Sequence, residues 1–135
     1  MYTAKNTMNK ILNTFPDFKD RYDKHVNEWD DTTGLRTIHS DIDIFFDYIS
    51  DKLENDENYD YKLTFNIVEE LFVNGDKEVS NAVAMMFLES LLTLAAHGNY
   101  KVESFFDYLG KESKAFCKAN EEFWGIENSK FYEDK

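Results

Sequence analysis

This chain has little that would staple, kink or loosen it. Among its 135 residues are one cysteine, one proline and five glycines. The single cysteine, Cys117, excludes an internal disulfide and suits a reducing compartment. So few breakers favour helices joined by short connections. Basic residues are also scarce, at 15 Lys and Arg against 27 Asp and Glu, which leaves a net charge of −12 and a pI near 4.6. Phosphate binding needs a basic patch and none is visible, which argues against nucleic acid as a direct ligand. The most apolar stretch, Ala82–Ala96, is interrupted by Glu89 and is shorter than the roughly 20 residues of a membrane span. Met1-Tyr2-Thr3-Ala4-Lys5 lacks the apolar core of a signal peptide. The expectation is a soluble, cytoplasmic protein with no membrane contact.

What is present is a globular composition, 42% hydrophobic and 16% aromatic, which argues against disorder despite the charge. A chain of this length forms one domain, here residues 1–135. Leu35, Ile38, Ile42, Phe45, Phe46, Ile49 and Leu53 recur at steps of three and four, so residues 35–53 read as a helix with one apolar stripe. Thr32 or Thr33 is placed to cap it, and Asn55-Asp56-Glu57-Asn58 to end it. Tyr61–Val73 reads as a second helix, with Leu63, Ile67, Val68, Leu71 and Phe72 facing inward. Gly75 then suits a left-handed position after that helix, and Asp76 suits the N-cap of the next.

Residues 77–96 read as a helix that is apolar nearly all round, the pattern of a central buried helix. His97-Gly98 closes it. Val102–Leu109 and Lys111–Trp124 follow as helices ended by Gly110 and Gly125. Upstream, residues 3–13 and 16–29 form two helices divided at Phe15-Pro16, since proline is tolerated at a first helical position. No segment alternates as a strand would. The fold class is therefore all-α, a single-domain antiparallel bundle of six or seven helices around Ala82–Ala96.

The charge is unevenly spread. Residues 17–60 hold 14 acidic and five basic side chains, which is −9 of the total −12. Charge gathered this way destabilises the compact state and steers cationic partners. Asp43, Asp47, Asp51 and Glu54 follow one another at intervals of four, four and three, within one arc of about 80° on the helix. Like charges at i,i+4 cost a few tenths of a kcal/mol per pair, and Asp51 and Glu54 also oppose the helix dipole. One reading is a solvated face that keeps the protein soluble. The preferred reading is a docking surface for a basic protein, made by Asp43, Asp47, Asp51 and Glu54 with Asp56, Glu57 and Asp60. Tyr48, Tyr59 and Tyr61 supply the amphipathic contact residues that interfaces favour.

Other chemistry is sparse. His25, His39 and His97 belong to no metal-binding motif, and no calcium-loop spacing is present. No metal, cofactor or catalytic group is expected, and Cys117 reads as a packed thiol. Glu89 stands within the most apolar helix, where a lone carboxylate is expensive. It reads as a buried structural anchor, hydrogen-bonded to a partner side chain or helix end.

Three stretches carry a resemblance: Gly75-Asp76-Lys77-Glu78-Val79-Ser80-Asn81 followed by Phe87-Leu88-Glu89; Tyr108-Leu109-Gly110-Lys111-Glu112-Ser113; and Phe123-Trp124-Gly125. Over roughly residues 35–125 the chain resembles small all-helical bacterial immunity proteins of polymorphic toxin and contact-dependent growth inhibition systems. That resemblance implies a non-enzymatic protein that neutralises a cognate nuclease toxin by covering its basic, nucleic-acid-engaging surface. The alternative from another class is an acidic adaptor or nucleic-acid mimic, such as an anti-restriction protein. Mimicry needs carboxylates along an extended surface, whereas a compact patch with aromatic neighbours favours the toxin partner.

Overall fold

A computed structural model describes residues 1–32, 36–55, 59–96 and 104–124. Among these residues seven α-helices follow in order: α1 Ala4–Thr14, α2 Lys19–Thr32, α3 Ile38–Asn55, α4 Tyr61–Asn74, α5 Lys77–Val83, α6 Glu89–Ala96 and α7 Lys111–Trp124. Tight 3₁₀ turns at Pro16–Phe18 and Ser104–Tyr108 precede α2 and α7. Among the described residues there is no strand beyond one isolated bridge between Tyr2 and Gly75. The fold is all-α. Pro16 opens its 3₁₀ turn at the first position, where its missing N–H has no partner to lose. Val102 lies outside the described residues, and the short helix expected there is the 3₁₀ turn.

The helix expected over residues 77–96 is one run with a defect. Ala84–Leu88 forms a π-turn between α5 and α6, and the Glu89 N–H bonds to the Ala84 carbonyl five residues back. Its core residues recur at i+4: Val79, Val83, Phe87 and Leu91 in one row, Ala84, Leu88 and Leu92 in another. In a regular α-helix an i+4 row drifts about 40° per step. The wider π-turn takes back part of that drift, so both rows stay against the core. A third i+4 row, Asn81, Met85, Glu89 and Thr93, lies toward solvent. The run is therefore not apolar on every side, and Met85 is half exposed. Lys77–Ala95 is long and apolar enough by length and composition to cross a membrane. In this fold its apolar rows are occupied by other helices.

Phe87 lies at the centre. Its ring is 5.1 Å from Phe46 and 5.8 Å from Phe45 on α3, and 6.5 Å from Phe65 on α4. Phe45 in turn meets Phe15 and Phe18, each at 5.5 Å, which brings the N-terminal segment into the same core. Ile11 of α1 and Cys117 of α7 are also fully buried there. Leu63 departs from the expected inward row and is 40% exposed.

Helix ends are fixed by side chains. Thr37 caps α3: its hydroxyl accepts from the Ser40 N–H while the Ser40 hydroxyl accepts from the Thr37 N–H; of the two caps expected, Thr32 ends α2 and Thr33 lies outside the described residues. Asp76 caps α5 as expected, accepting from Val79 N–H at 2.9 Å. Gly75 is extended, with φ −75° and ψ 154°, so no left-handed turn accounts for it. A Cβ there would stand 2.5 Å from the Leu71 carbonyl oxygen and 2.7 Å from Val79 Cγ1. The glycine is needed for space. Tyr2 ties the chain start to this corner, bonding through its N–H to Asn74 O and accepting from Asp76 N–H. The cap of α7 comes from another helix. Glu69 on α4 accepts from the N–H groups of Glu112 and Ser113 and from the Ser113 hydroxyl.

Phe87→Ala should lower the unfolding free energy by about 3–5 kcal/mol, whereas Met85→Ala should change it by less than about 0.5 kcal/mol. Urea unfolding followed by far-UV circular dichroism measures both. Equal effects would mean that the run is not oriented as described.

Candidate functional site

The outer face of α3 exists as expected. Asp43, Asp47, Asp51 and Glu54 are exposed along it. Partial burial raises the Asp47 pKa first, and the neighbouring Asp43 and Asp51 charges add to it against the pull of Arg21. The crowding of like charge thus registers on Asp47. Asp51 is already engaged, because Arg21 on α2 reaches it at 2.7 Å.

Other members of the expected surface have different duties. Tyr48 points inward and is 7% exposed. Its ring lies 5.2 Å from Phe18, with Arg21 at 5.8 Å and Lys52 at 5.6 Å over it. It is no surface contact residue, since α3 turns that position toward α2. Tyr59 is half-buried, its hydroxyl accepting from the Thr64 hydroxyl, and its ring meets Tyr61 at 5.8 Å. Asp60 is the N-cap of α4, accepting from the Leu63 N–H at 2.9 Å. Asp56 and Glu57 lie outside the described residues. The acidic face expected from the sequence therefore contracts to Asp43, Asp47 and Glu54, with Asp51 partly neutralised at its edge.

The buried carboxylate is Asp41, not Glu89. Glu89 is half-buried on the solvent-side row of the long run, and its side chain makes no hydrogen bond among the described residues. The π-turn is the reason, since it resets the phase of the helix just before Glu89. Asp41, at 5% exposure, accepts from His25 Nε2 at 3.1 Å on Oδ1 and from Arg36 Nε at 3.3 Å on Oδ2, and the Arg36 nitrogen lies 3.0 Å from Oδ1. An ionised carboxylate only accepts, so His25 Nε2 carries the proton of that bond. Burial raises the Asp41 pKa, and Arg36 followed by His25 opposes the shift. The trio ties α2 to the first turn of α3. His25 and Asp41 stand 16 residues apart on different helices, and no sequence spacing announces such a pair. His39, in contrast, makes no ion pair with Asp43 among the described residues.

Paired His and Asp could orient a general base, yet here the Asp41 carboxylate also holds Arg36 and His25 is 8% exposed. The arrangement performs a structural tie. Among the described residues no group of three or more His, Cys, Asp or Glu side chains is placed to hold a metal. Cys117 is buried in the core.

A family described as a domain of unknown function (DUF7674) matches residues 8–125. The chain belongs to that family. The match takes in all of α3 and the Asp41 trio, and no function comes with it. No curated protein and no solved structure matches the chain.

Removing Asp41 leaves a buried histidine without its acceptor, so Asp41→Ala should cost about 1–3 kcal/mol. Glu89→Ala should stay within about 0.5 kcal/mol of wild type. The pH dependence of Asp41 has a definite sign. A raised folded pKa means that the stability contributed by this proton is full below the unfolded value of about 3.9 and is lost as pH rises through the folded value. The stability of wild type relative to Asp41→Asn should therefore fall as pH increases upward from about 4. Denaturant titrations of both proteins at several pH values measure this, and a gap that widens with pH contradicts it.

Proposed function

We propose that this protein is a non-enzymatic binder that neutralises a basic protein partner through the outer face of α3, in the manner of an immunity protein against a cognate nuclease toxin. The observation that carries the reading is the exposed Asp43–Asp47 pair, two like charges one turn apart on the outer face of an otherwise well-capped helix; partial burial first, and then the Asp43 charge, raises the Asp47 pKa. A fold optimised only for stability would place a lysine at i+4 from one of these carboxylates. Nuclease toxins hold phosphates in cationic clefts, so a partner of opposite charge gains association rate and specificity. The resemblance over residues 35–125 supplies the toxin context, and the net charge of −12 is consistent with it.

The contraction of the surface decides which residues to change. Asp51 is a poor choice, because its loss would also release Arg21. Asp43→Asn combined with Asp47→Asn should leave the melting temperature unchanged or slightly raised. The same pair should slow association with the product of the neighbouring upstream gene, the candidate toxin, by about fivefold at low salt. The difference should shrink above physiological ionic strength, where screening acts within about 8 Å. Equal association rates at both salt concentrations would reduce the acidic face to a solubility device.

A further inference from the structure

Asparagine followed by glycine occurs once in the chain, at Asn74-Gly75, where α4 ends. This dipeptide is the one most prone to lose its side-chain amide, because a backbone nitrogen beside a residue with no Cβ is the least hindered nucleophile. The fold cannot give up the glycine, since a Cβ there would stand 2.5 Å from the Leu71 carbonyl oxygen. The asparagine side chain, in contrast, is exposed and makes no hydrogen bond to any described residue. What the fold uses at position 74 is the backbone. The peptide joining Asn74 to Gly75 is held at both ends: its N–H donates to Leu71 O at 3.0 Å and its carbonyl accepts from Tyr2 N–H at 2.9 Å. The next peptide is held too, with Asp76 N–H donating to Tyr2 O at 2.7 Å. Tyr2 is itself anchored through its hydroxyl, which donates to Glu70 Oε1 at 2.7 Å. The start of the chain thus straps down the nitrogen that would attack Asn74.

We infer that Asn74 is a site of spontaneous deamidation gated by the Tyr2 strap, and that its conversion releases the strap for good. When the strap opens, the Gly75 nitrogen gives up its proton and attacks Asn74 Cγ. The new N–C bond closes a succinimide ring as the bond to the side-chain nitrogen breaks, and that nitrogen leaves with the proton as ammonia. Water then opens the ring at either carbonyl and leaves an aspartyl or an isoaspartyl linkage at position 74. Water is the only co-reactant, and nothing is oxidised or reduced. In the closed fold the attack is blocked twice, because the Gly75 N–H is committed to Leu71 and the same peptide plane is pinned by Tyr2. Opening a chain end costs far less than global unfolding, and Met1 beside the strap is exposed, so this corner opens before the core does. The product cannot close as the asparagine did. A carboxylate at position 74 stands at i+4 from Glu70, the group that holds Tyr2, and at the negative end of α4; both placements are repulsive. The isoaspartyl form also lengthens the backbone by one carbon, which carries the Gly75 N–H away from Leu71 and breaks the register with Tyr2.

The test is incubation of the folded full chain at mildly alkaline pH, with peptide mass spectrometry to locate the amide loss and isoaspartyl methyltransferase labelling to count the β-linked product. The rate at Asn74 should follow the open population of the strap. Tyr2→Phe deletes the bond to Glu70 and should raise the rate about threefold, while Tyr2→Pro deletes the N–H that reaches Asn74 and should raise it about tenfold. The urea-unfolded chain should convert faster than any folded variant. Asn74→Gln should fold as wild type and form no product at position 74. After conversion, the Asp76 amide should exchange its hydrogen about tenfold faster than before, having lost Tyr2 as acceptor. If the folded chain keeps its amide at Asn74 over the time that fully converts the unfolded chain, the site is overturned. Rates left unchanged by both Tyr2 variants overturn the strap as its gate, and Tyr2→Phe alone decides this if Tyr2→Pro fails to fold. Unchanged exchange at Asp76 after conversion overturns the release.

Discussion

Everything in this fold is arranged around the need to bury Phe87 from three sides. Its ring meets Phe45 and Phe46 on α3 and Phe65 on α4, so these helices cannot pack independently. A fully buried phenylalanine is worth about 1.5–3 kcal/mol in transfer alone, and a cluster of four makes a core that only a continuous run over residues 77–96 can fill. That run meets the demand by widening one turn. The π-turn over Ala84–Leu88 is a local departure from ideal geometry, and such departures persist where the surroundings over-determine them. Here the over-determination is visible, because two i+4 rows of apolar residues would otherwise rotate off the core.

Fixing α3 against Phe87 fixes which of its residues face outward. Ile42, Phe45, Ile49 and Leu53 take the inner side, so Asp43, Asp47 and Glu54 must face solvent. Many other carboxylates of the chain have defined work. Asp60 and Asp76 cap helices, Glu69 caps α7 from a neighbouring helix, Glu70 accepts from the Tyr2 hydroxyl, and Asp41 ties α2 to α3. Against that background, Asp43 and Asp47 stand apart as acids that make no ion pair or hydrogen bond among the described residues. A helical protein that uses its acids so consistently for capping gives weight to the few it does not.

The apolar periodicity made the helices legible. Residues 35–53 carried seven apolar positions on one stripe, and α3 is there, from Ile38 to Asn55. Lys111–Trp124 matches to the residue. Wrong readings trace to one physical cause each. A 100° wheel places Glu89 among apolar neighbours, but the π-turn upstream carries it to the solvent side. Gly75 signals a helix stop correctly, yet what demands glycine is crowding by Leu71 and Val79 and no special dihedral. Tyr48 looks like a surface aromatic beside acids, until the 3₁₀ turn before α2 packs over it through Phe18. The Asp41 trio and the Glu69 cap join residues from separate helices, and local pattern contains no trace of such pairings.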